Sequence, residues 1–178
     1  IACIITLIHK AMFVMYCKMF YSMRGGDIMS KNDISIQKAQ KEDYDELRKI
    51  FLKTRQENFN WMEYDSIKLE DFDSSTEGEL ILTAKIGNDI AGFVSIWEED
   101  KFIHNLFVSS NFKRRGIGKA LIDQSVKEVG LPLTLKCVRA NVNASNFYLS
   151  QGWTIEEEVI ENEPYYLMKY EDMSVLEK

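Results

Sequence analysis

Proline is almost missing from this 178-residue chain, which has only Pro132 and Pro164. No Gly/Ser/Pro-rich stretch divides it, so a linker between large domains is not expected, and the length suits one domain with at most an appendage. Cysteine is scarce too. Cys3, Cys17 and Cys137 have neither the spacing of a zinc site nor the density of a disulfide framework. No metal is expected, and a reducing, cytoplasmic setting fits such cysteine usage. Cys137 lies in an apolar run and reads as an inert core thiol. An excess of positive charge is also lacking: 22 Lys and Arg stand against 28 Asp and Glu, for a net charge of −6. That balance argues against a general nucleic-acid binder. A charge-free apolar run of the ~20 residues that a membrane span needs is absent as well.

The nearest thing to such a run is residues 1–23, which His9, Lys10 and Lys18 interrupt. The stretch lacks the order of a signal peptide, with charge first and small residues last. Arg24-Gly25-Gly26-Asp27-Ile28 precedes Met29, and codons for Arg-Gly-Gly can spell a ribosome-binding sequence. Residues 1–28 are therefore expected to be a translated upstream leader, with the domain proper covering 29–178 and making no use of a membrane. An amphipathic membrane-associated leader and a structural extension are the alternatives.

What is present is a mixture of two periodicities. Residues 34–39 alternate as a strand, and Lys41–Gln56 carries a helical stripe of Tyr44, Leu47, Ile50 and Phe51. A short helix is expected over Ser66–Phe72. Two β-rich runs, 79–86 and 90–97, flank the hairpin turn Gly87-Asn88-Asp89. A further strand, Phe102–Val108, follows the acidic turn at 98–100. Gly116–Val129 is an amphipathic helix stopped by Gly130 and Pro132, and Leu133–Val138 is a buried strand. Ala144–Gln151 reads as a helix capped by Asn141 or Asn143. Runs 154–161 and 165–170 form a last hairpin. The order β-α-α-β-β-β-α-β-α-β-β predicts a mixed α/β domain with helices on both faces of the sheet. Its 102–138 unit should be a right-handed parallel crossover.

The stretch Phe102–Val129 carries the chemistry. Gly116-Ile117-Gly118 follows a strand and opens a helix beside Lys113, Arg114 and Arg115. Glycine lets backbone approach a ligand, and the free amides of a first helical turn attract anionic oxygen, so a phosphate site is expected. Leu121 in place of a third glycine excludes the dinucleotide fingerprint, and the spacing excludes the Walker loop.

Leu106-Phe107-Val108 followed by Lys113-Arg114-Arg115-Gly116-Ile117-Gly118-Lys119-Ala120-Leu121 closely resembles the acyl-CoA-binding motif of the GNAT family of N-acetyltransferases. Lys113 replaces the usual Arg or Gln there. Downstream, Asn141-x-x-Ala144-x-x-Phe147-Tyr148-x-x-x-Gly152-Trp153 is similar to a second family segment, with Trp for its final Phe. The element order agrees from about Ile34 to Tyr170. The resemblance implies a mostly antiparallel sheet whose parallel central strand pair is splayed, with acetyl-CoA as co-substrate in the gap.

It also implies roles. Amides of Arg114, Arg115, Gly116, Ile117, Gly118 and Lys119 would hold the pyrophosphate, and the strand edge at Leu106, Phe107 and Val108 would pair with the pantetheine arm. Asn141 would touch that arm or a water. Tyr148, on one helix face with Ala144, would protonate the leaving thiolate. His104, two residues before Leu106 and so expected on the same sheet face, would accept the amine proton, with packing as the alternative. Glu98, Glu99, Asp100 and Asn105 are further candidates, the three acids being read as a solvated turn. Arg55, Phe59 and Trp61 are candidate acceptor-binding residues.

The reaction so implied is direct acetyl transfer to a primary amine of a small molecule or peptide in a ternary complex. A homodimer is left open. Two other readings compete: a non-catalytic acyl-CoA-binding regulatory module, marked by binding without thiol release, and a phosphate- or RNA-binding domain using residues 113–115, marked by salt-dependent RNA retention.

Overall fold

In the computed structural model, residues 34–59, 63, 66–160 and 162–171 are described. Residues 1–28, expected to be a leader, and Trp61 lie outside them. The elements are β1 (Ile34–Lys38), α1 (Tyr44–Asn58, entered through a 3-10 turn at Lys41–Asp43), α2 (Asp71–Ser75), β2 (Leu80–Ile86), β3 (Asp89–Trp97) and β4 (Phe102–Val108). Then come α3 (Ile117–Val129), β5 (Leu133–Val138), α4 (Val142–Ser150), β6 (Thr154–Val159) and β7 (Tyr165–Tyr170).

The seven strands make one sheet in the order β1-β2-β3-β4-β5-β7-β6. Among the described strands only β4 and β5 run parallel. All other neighbours are antiparallel, so α3 is the crossover that a parallel connection requires.

Period-2 alternation divides the core between the two faces. Leu82, Ala84, Val94 and Ile96 pack with Ile117, Leu121 and Ile122 of α3 and with Tyr148 and Trp153. Ile81, Phe93 and Phe107 pack with Leu47, Ile50 and Phe51 of α1 and Phe72 of α2. Both faces are thus covered by helices, as the pattern predicts. In the second cluster Phe72 meets Phe51 and Phe93 edge-on at 5.8 and 5.4 Å between ring centroids, an arrangement that the ring quadrupoles favour.

Ion pairs help to fix α1. Arg48 grips Asp73 of α2 through Nε at 2.9 Å and Nη2 at 2.8 Å. Buried Asp43, just before α1, meets Lys85 Nζ of β2 at 2.7 Å and accepts the Gln40 amide at 3.0 Å. Burial on its own would raise the Asp43 carboxyl, but the Gln40 amide and the Lys85 ammonium outweigh it and the net shift is downward.

Two elements differ from expectation. The short helix begins at Asp71, five residues after Ser66. Asp71 accepts the Lys68 amide at 2.9 Å, which holds 68–70 as a turn and delays the helix. The later helix starts at Val142, because Asn141, not Asn143, caps it by accepting the Ala144 amide at 3.2 Å.

Candidate active site

The turn between β4 and α3 is built on left-handed backbone. Arg114 has φ 65° and Gly116 φ 81°. This conformation is uncommon for a side chain as large as arginine, and such backbone gathers at functional sites. Because the first helical bond runs from the Ala120 amide to the Gly116 carbonyl at 3.0 Å, the amides of residues 114–119 donate to no acceptor among the described residues. Consecutive free amides in a turn that changes hand, at the positive end of a 13-residue helix, are a donor set chemically suited to an anion. A phosphate group fits this donor set.

The side chains around the turn support the backbone. Arg115 stacks on Phe112, with 5.4 Å from guanidinium carbon to ring centroid. Lys113 bonds Asn58 at 3.2 Å, and Ser110 donates to Glu57 at 2.9 Å, tying the turn to the end of α1. Lys119 is directed along its own helix to Asp123, at 2.6 Å. Its amide, rather than its ammonium, belongs to the turn. Arg114 and Arg115 are exposed beside it.

Gly118 has a second reason to be glycine. A side-chain carbon placed on it would meet the Phe147 ring at 2.9 Å. The first turn of α3 therefore packs directly on α4, one residue before Tyr148.

The edge of β4 is open where the resemblance requires it. The parallel pairing covers only Phe102↔Thr134 and Ile103↔Leu135. Beyond Ile103 the two strands part, so Leu106, Phe107 and Val108 keep their β3 partners Val94, Phe93 and Gly92 while the β5 side of the strand is unpaired. A main chain with unmet donors and acceptors along one edge is a template for an extended amide-bearing ligand.

Where the strands part there is a bulge. Ser95 faces Asn105 and Ile96 faces Ile103, so His104 has no partner of its own. The extra residue breaks the alternation, and this corrects the expected shared face. Leu106 packs into the α3-side core, whereas the exposed His104 ring lies 4.7 Å from Phe102 and bonds Glu79 through Nδ1. Asn105 is not a free base candidate: it is buried and donates to Ser95 Oγ at 2.8 Å and to Ser75 Oγ at 3.0 Å. Glu98, Glu99 and Asp100 form an exposed turn.

Tyr148 is buried in the α3-side core, edge-on to Trp153 at 5.3 Å and to Phe147 at 5.2 Å. Its phenol makes no hydrogen bond among the described residues. Burial pushes its pKa up, with neighbouring Cys137 adding to the effect, so the group remains a proton carrier at any ordinary pH. Cys137 is buried and its thiol is likewise pushed up by burial, with Ser145 Oγ at 3.4 Å pulling the other way. It therefore has little thiolate character. Asn141 uses its carbonyl oxygen as the α4 cap, which leaves its amide nitrogen available.

The acceptor-side candidates lie at the end of α1. Arg55 pairs with Asp71 at 2.8 Å and lies over Phe51 at 4.7 Å. Phe59 packs against Phe107 with 6.1 Å between centroids. Glu79, just before β2, is missed by sequence reasoning. It looks like the polar start of a strand, and only the bulge on β4 brings His104 to it. Beyond it lies a cavity of about 550 Å³ lined by Tyr44, Glu70, Asp73, Thr76 and Glu77 as well as Glu79.

Among the described residues the sheet has seven strands and a single parallel pair that splays apart, with a turn of unpaired amides beside the splay. The acetyltransferase (GNAT) family model matches residues 43–153, and the chain belongs to that family of acyltransferase enzymes. Over 66 residues it is 44% identical to the peptidyl-lysine N-acetyltransferase YiaC of Escherichia coli, a match covering 37% of this chain and 44% of that protein. The chain thus aligns with less than half the length of this curated relative.

Among solved structures it is similar to the PaiA N-acetyltransferase of Thermoplasma acidophilum in complex with coenzyme A. There the TM-score is 0.66 and the identity 17%, covering 79% of this chain and 99% of that one. It is also similar to the ribosomal-protein-S18-alanine N-acetyltransferase of Escherichia coli, with TM-score 0.62, identity 17%, and 76% and 92% covered. Among the described residues no helix is long and apolar enough to cross a membrane.

Proposed function

We propose that this chain moves an acetyl group from acetyl-CoA to a primary amine of a small molecule or peptide, by direct attack in a ternary complex. The observation that carries the reading is the run of unpaired amides at 114–119, placed at the end of a β4 edge that leaves β5 after Ile103. The pyrophosphate belongs at the amides, the pantetheine arm along Leu106–Val108, and the acetyl group near the bulge. Such a ligand supplies a thioester carbonyl, and main-chain donors at the bulge would meet the oxyanion that forms on it.

An ammonium cannot attack. His104 takes one proton from the acceptor through Nε2, which is free among the described residues. The nitrogen lone pair then forms the C–N bond, and the C–S bond breaks with its electrons going to sulfur. Tyr148 donates its phenolic proton to that sulfur and is replenished by the second proton that the nitrogen sheds. The products are the N-acetyl amide, the free thiol and one proton, held on His104 and passed to solvent. A phenol kept neutral by burial suits a donor role.

Amine-dependent thiol release tests the reading. A panel of diamines, amino acids and lysine peptides should yield at least one acceptor. Acetyl-CoA binding with no release across the panel would instead support a regulatory module.

A further inference from the structure

Resting on the reading of His104 as the base, we propose that Glu79 is its positioning residue: the buried carboxylate accepts the Nδ1–H hydrogen bond and so presents the ring with a bare Nε2. The two side chains differ sharply in exposure, His104 at 47% and Glu79 at 3%. One Glu79 oxygen meets Nδ1. The other, Oε2, is buried with no partner. Holding an ionisable group out of water with half its acceptor capacity unmet is costly, so its place beside His104 calls for an explanation.

Both ends of the contact are held by backbone. The Glu79 amide donates to the Thr76 carbonyl at 3.1 Å, closing the turn after α2. His104 sits on the bulge, and the next residue, Asn105, is pinned to Ser75 and Ser95. Bulges re-aim side chains, and this one turns the imidazole toward Glu79 at the point where β4 leaves β5.

The chemistry follows from what each group can donate. A carboxylate only accepts hydrogen bonds. A neutral imidazole bonded to it must therefore carry its proton on Nδ1, which leaves the Nε2 lone pair to accept from the amine. Once Nε2 is protonated, Nδ1–H stays on Glu79 and the new cation lies against an anion. On its own strand His104 faces apolar Phe102. On the far side of Glu79 the charged groups are Glu70, Glu77 and Asp73, the last paired with Arg48. In Glu79→Gln the amide can donate to Nδ1, the ring is free to adopt the Nε2–H tautomer, and the lone pair turns inward.

The test combines nitrogen-15 NMR of the histidine ring with kinetics on wild type, Glu79→Gln, Glu79→Ala and His104→Ala. Wild type should show Nδ1–H at neutral pH, and Glu79→Gln a mixture or the opposite tautomer. In Glu79→Gln kcat should fall ~10-fold or more, less than the ~10²–10⁴-fold that loss of the base itself would cost, with unchanged acetyl-CoA affinity, and Glu79→Gln/His104→Ala should be no slower than His104→Ala. Should Glu79→Gln fail to fold, the same measurements on Glu79→Ala decide. If His104→Ala is slow but loss of the carboxylate changes neither tautomer nor kcat, the positioning role is overturned and the base stands. If His104→Ala keeps wild-type turnover, the base reading falls and the positioning role falls with it.

Discussion

Phe147 fills the space where a side chain on Gly118 would stand, with ring carbon 2.9 Å from the missing Cβ. The glycine belongs to the turn of unpaired amides, and the phenylalanine precedes the buried tyrosine. The two motifs that the sequence keeps apart therefore meet at one contact. Gly118→Val should destabilise the fold by ~1–3 kcal/mol through overpacking and should also weaken acetyl-CoA binding. Adding Phe147→Ala should restore part of the stability. Urea midpoints of the single and double variants measure the coupling; additive losses would show that the contact is not shared.

Tyr148→Phe should keep the wild-type melting temperature, because among the described residues the phenol makes no hydrogen bond that the change removes. Turnover should fall ~100-fold if the proton it donates is needed at the leaving sulfur, while acetyl-CoA affinity is retained. Calorimetry with steady-state kinetics separates the two; unchanged kcat removes Tyr148 from the chemistry.

How much of this was legible in the sequence depends on whether the cause is local. The ends of β4 and β5 are set by their own apolar runs, and α3 by Gly116 and Gly130, and all three fall where the pattern puts them. Asn141 and Asn143 are both plausible caps, and only the Ala144 amide chooses between them. The start of α2 depends on Asp71 folding back on Lys68, a competition that propensity does not resolve. The bulge at His104 is a property of two strands together. A strict alternation of strand residues therefore puts His104 on the wrong face and overlooks Glu79. Arg55 reads as a ligand-binding cation until its partner, Asp71, sixteen positions away, is in view.

Asp43 makes acid stability measurable at one residue. Its folded carboxyl lies below the ordinary value, so its contribution is complete above the unfolded pKa of ~3.9 and fades as pH falls through the folded value. Asp43→Asn should lower stability at pH 7 by ~1–3 kcal/mol, since Lys85 loses its partner. It should also flatten the dependence between pH 4 and lower values. Denaturant titrations across that window check both; a parallel curve for the variant would contradict the linkage.

Cys137 should resist modification. With Cys3 and Cys17 replaced by serine, the folded protein should react with a disulfide reagent at pH 8 far more slowly than the urea-unfolded chain, because burial raises the thiol and screens it. Equal rates would mean that α4 opens readily.

The central claim is that the open amides at 114–119 and the unpaired edge of β4 form an acetyl-CoA site serving amine acetylation. The most direct measurement is free-thiol release from acetyl-CoA against a panel of primary amines, with mass spectrometry of the acceptor. Release should depend on the amine, and the acceptor should become heavier by one acetyl group. No binding of acetyl-CoA, or thiol release indifferent to every amine, would contradict it.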